Sequence, residues 1–171
     1  PLASNSNYVA GQTIANFAAV QADANGDICV YTAAAAHLIW DQVAVSTTLQ
    51  AGAPTHIFDS RNTGRLPSGG VAKIHVTDTL SATVLGNLTV TAPAGVGFTT
   101  AYPCTAGRPL ASNSNYVAGQ TIANFAAVQA DANGDICVYT LAAAHLIWDQ
   151  VAQTTTLQAG SPFRTFDSRA N

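Results

Sequence analysis

The chain has 171 residues, of which 9% are charged, with no glutamate and with Lys73 as its sole lysine. A formal charge of −3 without a basic run gives phosphate-driven nucleic-acid binding no electrostatic footing. The longest apolar stretch, Ala33 to Trp40, is broken by His37 and falls far short of the roughly 20 residues of a membrane span.

In chain order, the first clear signal is Ala24-Asn25-Gly26-Asp27, whose Asn-Gly pair predicts a type I′ hairpin turn between apolar strands; the same four residues return at Ala132 to Asp135. Val71 to Thr77 alternates, with Ala72, Ile74 and Val76 on one face and Lys73, His75 and Thr77 on the other, the period of a half-buried strand. Leu88 to Thr91 behaves in the same way, and Gly97 to Cys104 puts Phe98, Thr100 and Tyr102 on a common face. In the repeated stretch that follows, Asn115 and Gly119 read as turn residues, and Ile122 and Phe125 begin the next strand. Leu141 to Val151 competes as a helix through its alanines, but is read as a loop followed by the strand His145 to Ala152. Breakers at Pro54, Gly64, Pro67 to Gly70, Pro93 to Gly97 and Pro103 leave intervals suited to short strands. The predicted fold is all-β, an antiparallel, jelly-roll-like sandwich.

The chain also repeats itself. Pro1 to Thr63 matches Pro109 to Asn171 without a gap at an offset of 108, with nine differences (positions 33, 45, 46, 53, 55, 56, 57, 62 and 63) and 54 identities. A period of 108 is too long for a solenoid repeat and suits one small domain. Differences concentrate around the Thr-rich segment after residue 44, so the boundaries are drawn there: residues 1–44 as the back half of a preceding repeat, 45–55 as a linker, 56–152 as one complete β-domain, 153–163 as a second linker and 164–171 as the first strand of a following repeat. Without an initiator Met or a signal peptide, the chain is expected to come from a longer or processed precursor.

The complete unit resembles the roughly 100-residue repeats found in tandem in secreted, surface-associated bacterial proteins. The resemblance rests on the opening Phe58-Asp59-Ser60-Arg61 (again at Phe166 to Arg169), close to a Leu-Asp-Thr-Arg pattern. It continues through Ala101-Tyr102-Pro103-Cys104, Arg108-Pro109, Ser112 to Thr121, Gly134 to Tyr139 and His145 to Asp149. Asp149-Gln150-Val151-Ala152 departs from the family's Asp-Val-x-Gly-Tyr closing, which predicts a differently packed last strand. The resemblance implies an extracellular β-domain without enzymatic activity.

Low charge and the resemblance together place the protein outside the cell, where Cys104 and Cys137, both in predicted strands, are expected to form a disulfide. Such a bridge would stabilise the fold by roughly 3 to 4 kcal/mol in the chain-entropy model. Cys29 is the copy of Cys137, and the counterpart of Cys104 for it would lie ahead of Pro1. Cys104 could therefore pair with Cys29 or Cys137; chain continuity and the order in the family favour Cys137.

Candidate chemistry is thin. Asp131 to Asp135 resembles the start of a calcium loop but lacks the later ligands, and a turn is the stronger reading. His145 and Asp149 share a strand face about 13 Å apart, too far for an acid/base pair. Ser60 and Ser168 have no nucleophile-elbow context, and Asp59 with Arg61 reads as a structural ion pair. No catalytic residue, cofactor or metal is expected. The function expected is a structural repeat of a cell-surface protein, stalk or filament, partnered by itself or by neighbouring repeats. The alternative is a module binding cell-wall or host glycans, with Tyr116, Tyr139 and Trp148 as the aromatics available to stack on sugars, although strand aromatics are more often core.

Overall fold

The computed structural model describes residues 5–42 and 44–160. All strands of the described residues fall between Thr55 and Thr154: β1 (Thr55–Asp59), β2 (Val71–His75), β3 (Thr83–Thr91), β4 (Gly97–Pro103), β5 (Ser114–Tyr116), β6 (Ile122–Gln129), β7 (Asp135–Thr140) and β8 (His145–Thr154). They form two antiparallel four-stranded sheets, ordered β1-β8-β3-β6 and β2-β7-β4-β5, that pack as a β-sandwich. Outermost and innermost strands pair in nested fashion: β1 with β8, β2 with β7, β3 with β6 and β4 with β5.

Alternation explains why these segments are strands. In β2, Ala72 and Ile74 point inward while Val71, Lys73 and His75 stay exposed. Val84, Leu88, Val90 and Trp148 from one sheet meet Ile74, Ala101, Ile136 and Val138 from the other in a single core. Each large aliphatic side chain fully buried there contributes about 1.5 to 3 kcal/mol. Gly86 is required beside Trp148: a Cβ would lie 2.8 Å from the indole Cζ2 and 2.6 Å from the Asp149 carbonyl oxygen. The strand expected at His145 is present and the competing helix is not.

Several expectations need correction. The Asn133-Gly134 turn exists, but it is not a hairpin, because β6 and β7 belong to different sheets and the turn carries the chain across the sandwich. Nor is it type I′, since Gly134 (φ 77°) takes positive φ and Asn133 does not. Its shape is set by Asp131, whose Oδ1 accepts the N–H groups of Asn133 (2.7 Å) and Asp135 (3.1 Å). Asn115 is not a turn residue; it lies in β5 opposite Phe98, while Gly119 (φ 73°) does turn the chain.

The two segments read as linkers are attached to the sandwich. Ala51 is buried, Gly52 N–H donates to the Val151 carbonyl (2.7 Å), and Thr55 already belongs to β1. After β8, which runs on to Thr154, Ala159 N–H donates to Thr83 Oγ1 (3.0 Å). Residues 5–42, by contrast, contain no strand, and Val9, Tyr31, Leu38, Ile39 and Trp40 are exposed. The expected first strand at 164–171 and its Phe166 to Arg169 motif lie outside the described residues.

Candidate functional site

Three side-chain clusters and one covered sheet face stand out. The first surrounds the end of β1. Arg61 Nε lies 2.9 Å from both carboxylate oxygens of Asp59, Arg61 Nη2 lies 2.6 Å from Oδ2, and the Arg61 backbone N–H donates to Oδ1 (2.8 Å). These bonds, with the Arg61 charge and a smaller contribution from His56, hold the Asp59 carboxyl down at about 2. His56 joins the cluster, with Nε2 3.4 Å from Asp59 and Nδ1 2.6 Å from Asp149 of β8. Ser60 is fully buried; its Oγ accepts the Leu146 N–H (2.8 Å) and lies 3.3 Å from His145 Nδ1. With its hydroxyl enclosed and bonded to the backbone, Ser60 is a fastener between the β1 end and β8. His145 and Asp149 each find a partner on the β1 segment rather than on one another.

A second cluster sits on the outer face of the other sheet. Register places Lys73 opposite Cys137 and His75 opposite Asp135. Lys73 Nζ is 2.7 Å from Asp135 Oδ2, and His75 contacts Asp135 (3.0 Å) and Asp78 (3.3 Å). Asp135 is held below its ordinary value, chiefly by Lys73, and His75 is raised above its own, chiefly by Asp135. Alternation in Val71 to Thr77 puts Lys73 and His75 on one face; their anionic partner, 60 residues beyond His75, cannot be read locally.

The third cluster lies on the same outer face. The Cys104–Cys137 disulfide is formed, and Cys29 is a free, exposed thiol. Beside the bridge, the Arg108 guanidinium stands 4.1 Å from the Tyr139 ring centroid and 5.9 Å from that of Phe98, and the two rings are 5.7 Å apart. Of the three aromatics put forward for sugars, only Tyr139 reaches the surface. Trp148 is fully buried, with Nε1–H donating to Gln150 (3.2 Å). Tyr116 is 3% exposed, and its hydroxyl is tied to Thr140 Oγ1 (2.8 Å) between the sheets. Neither ring offers a face to a ligand, so both belong to the core.

Among the described residues no group of three or more His, Cys, Asp or Glu side chains is placed to hold a metal ion. No helix among them is long and apolar enough to cross a membrane. The calcium-loop resemblance at Asp131 ends in the turn already described, with Asp131 engaged by its own backbone.

The covered face belongs to the sheet β1-β8-β3-β6. Inward-facing Val84, Leu88 and Val90 imply that Leu85, Asn87 and Thr89 point outward, yet each is at most 4% exposed. Over Leu85 and Asn87 lies the first copy of the repeat: Ala19 and Leu49 pack against Leu85, Val151 and Ala152, and Asn16 Nδ2 lies 3.4 Å from Asn87 Oδ1.

Compared with protein-family models, with curated proteins and with solved structures, the chain matches none.

Proposed function

We propose that this chain is a non-enzymatic structural repeat of an extracellular, cell-surface bacterial protein, stalk or filament, built from jelly-roll units 108 residues apart and joined through half-domain complementation or tandem contacts. The nested pairing of β1 with β8, β2 with β7, β3 with β6 and β4 with β5 supports reading the sandwich as a jelly roll. The observation that carries the functional reading is the duplication itself. Residues 109–140 supply β5, β6 and β7 of a disulfide-closed sandwich, whereas the same sequence in the first copy forms no strand over its described residues. A second set of strand-forming segments, unpaired in sheets and mostly exposed, suits a chain that completes or is completed by a neighbour. The disulfide and the low charge favour an oxidising, extracellular setting.

Negative-stain electron microscopy and light scattering test this reading. Assembled rods or filaments, or a stable oligomer, are expected; a monodisperse monomer whose residues 5–42 give sharp, dispersed NMR signals would overturn it. The glycan-binding alternative retains one support, the surface platform of Tyr139, Phe98 and Arg108. Glycan-array binding that disappears in Tyr139→Ala while the fold persists would favour that alternative.

A further inference from the structure

Strand β6 is the outer edge of its sheet, so its outward N–H groups have no strand partner. At Phe125 that N–H donates to Asn16 Oδ1 (2.8 Å), and the Phe125 ring meets the Phe17 ring with centroids 4.8 Å apart. Asn16 and Phe17 are the copies of Asn124 and Phe125 at the 108-residue offset. The piece seated on β6 is thus the β6 sequence itself, presented by the other copy of the repeat.

The seat is built for an occupant. Its outward positions hold Leu85, Val151, Ala152 and Phe125, apolar groups that a solvent-facing sheet surface would not need. Asn87 lies fully buried at its centre, with its Oδ1 toward Asn16 and its Nδ2 without a hydrogen-bond partner. One asparagine side chain reaches both the sheet edge, at Phe125 N, and the sheet face, at Asn87.

We propose that the β6 edge, with the adjoining outer face of its sheet, is the contact surface between successive repeats, and that its occupant is the Ile-Ala-Asn-Phe segment of a neighbouring copy. The proposal rests on the tandem-assembly reading and names its interface. Asparagine supplies the acceptor for the edge N–H, and phenylalanine packs its ring, tilted by 58°, against its own counterpart. Strand β6 is therefore both the seat and the sequence that fills it.

The test is amide hydrogen exchange on the full chain. Asn16→Ala/Phe17→Ala should speed exchange of the Phe125 amide at least about tenfold while amides of β4 and β7 keep their rates. A synthetic peptide spanning Thr13 to Gln21, added to that variant, should restore Phe125 protection, and a scrambled peptide should not. Should the double variant lose structure more widely, Phe17→Leu with Asn16→Leu serves in its place, removing the aromatic ring and the edge acceptor while keeping side-chain bulk. An unchanged Phe125 rate, or no rescue by the peptide, overturns the proposal. The two readings separate cleanly: a chain that assembles without any change at Phe125 refutes this interface alone, whereas peptide rescue in a chain that stays monomeric supports the seat and refutes the assembly.

Discussion

Cys104 and Cys137, 33 residues apart, are joined by a disulfide that ties the end of β4 to the middle of β7, while Cys29, in the same sequence setting as Cys137, remains an exposed thiol. Cys29→Ser should leave the unfolding midpoint unchanged and abolish the single reactive thiol in a titration of the native protein. Adding Cys137→Ser should then cost roughly 3 to 4 kcal/mol, measured by denaturant unfolding. A loss equally large in Cys29→Ser alone would mean that the first copy holds the bridge in solution.

Asp59 carries an acid-sensitive part of the stability. Its carboxyl titrates at about 2 in the folded chain, against an ordinary 3.8. With the folded value below the unfolded one, this contribution is fully present above pH 4 and fades as pH falls through about 2. Asp59→Asn should cost on the order of 1 to 3 kcal/mol at neutral pH and should flatten the acid limb of the stability profile.

His75 behaves with the opposite sign. Asp135, and then Asp78, raise its pKa above the ordinary 6.5, so any stability that it contributes is complete below that value and is lost as pH rises through the raised one. Its imidazole resonances should titrate above the ordinary value in an NMR pH series and return toward it in Asp135→Asn. A titration identical in the two proteins would show that the contact does not persist in solution.

Gly134 and Gly26 occupy the same sequence position in the two copies, with φ of 77° and 88°. A Cβ at Gly134 would fall 1.8 Å from the Thr77 carbonyl oxygen, whereas nothing lies within 4 Å of one at Gly26. Gly134→Ala should therefore destabilise the sandwich by several kcal/mol, through backbone displacement added to the cost of positive φ. Gly26→Ala carries the positive-φ cost alone, about 1 to 2 kcal/mol, and chemical denaturation of the two variants compares them directly.

Trp148 and Trp40 should report the same asymmetry in fluorescence, as one is fully buried and the other half exposed. In Trp40→Phe the remaining emission should be blue-shifted and resistant to acrylamide, and Trp148→Ala should cost about 3 to 5 kcal/mol.

Part of this molecule is legible in the amino-acid sequence alone. Alternation at Val71 to Thr77 identifies β2 and its inward face because only one side of that strand is covered. The Asp59–Arg61 pair is legible because its partners are two residues apart. His56 against Asp149 is not, since the two are brought together by the pairing of β1 with β8 across 93 residues. Tyr116 and Trp148 can be named as aromatics, but their burial depends on which sheet faces which. The Asn-Gly turn is visible as a turn, yet whether its flanking strands pair with each other or with different sheets is a property of the whole topology.

The repeat draws that line most sharply. Residue order dictates strands with turns at the Asn-Gly pairs and a duplication whose period, 108 residues, is the length of one domain. It leaves open which copy folds into the sandwich, because residues 1–32 and 109–140 are the same letters. Residues 109–140 form β5, β6 and β7, while residues 5–32, their counterpart in the first copy, form no strand. A strand completes its backbone hydrogen bonds only beside another strand, and β2, β3 and β4 are already paired with the copy that follows them in the chain.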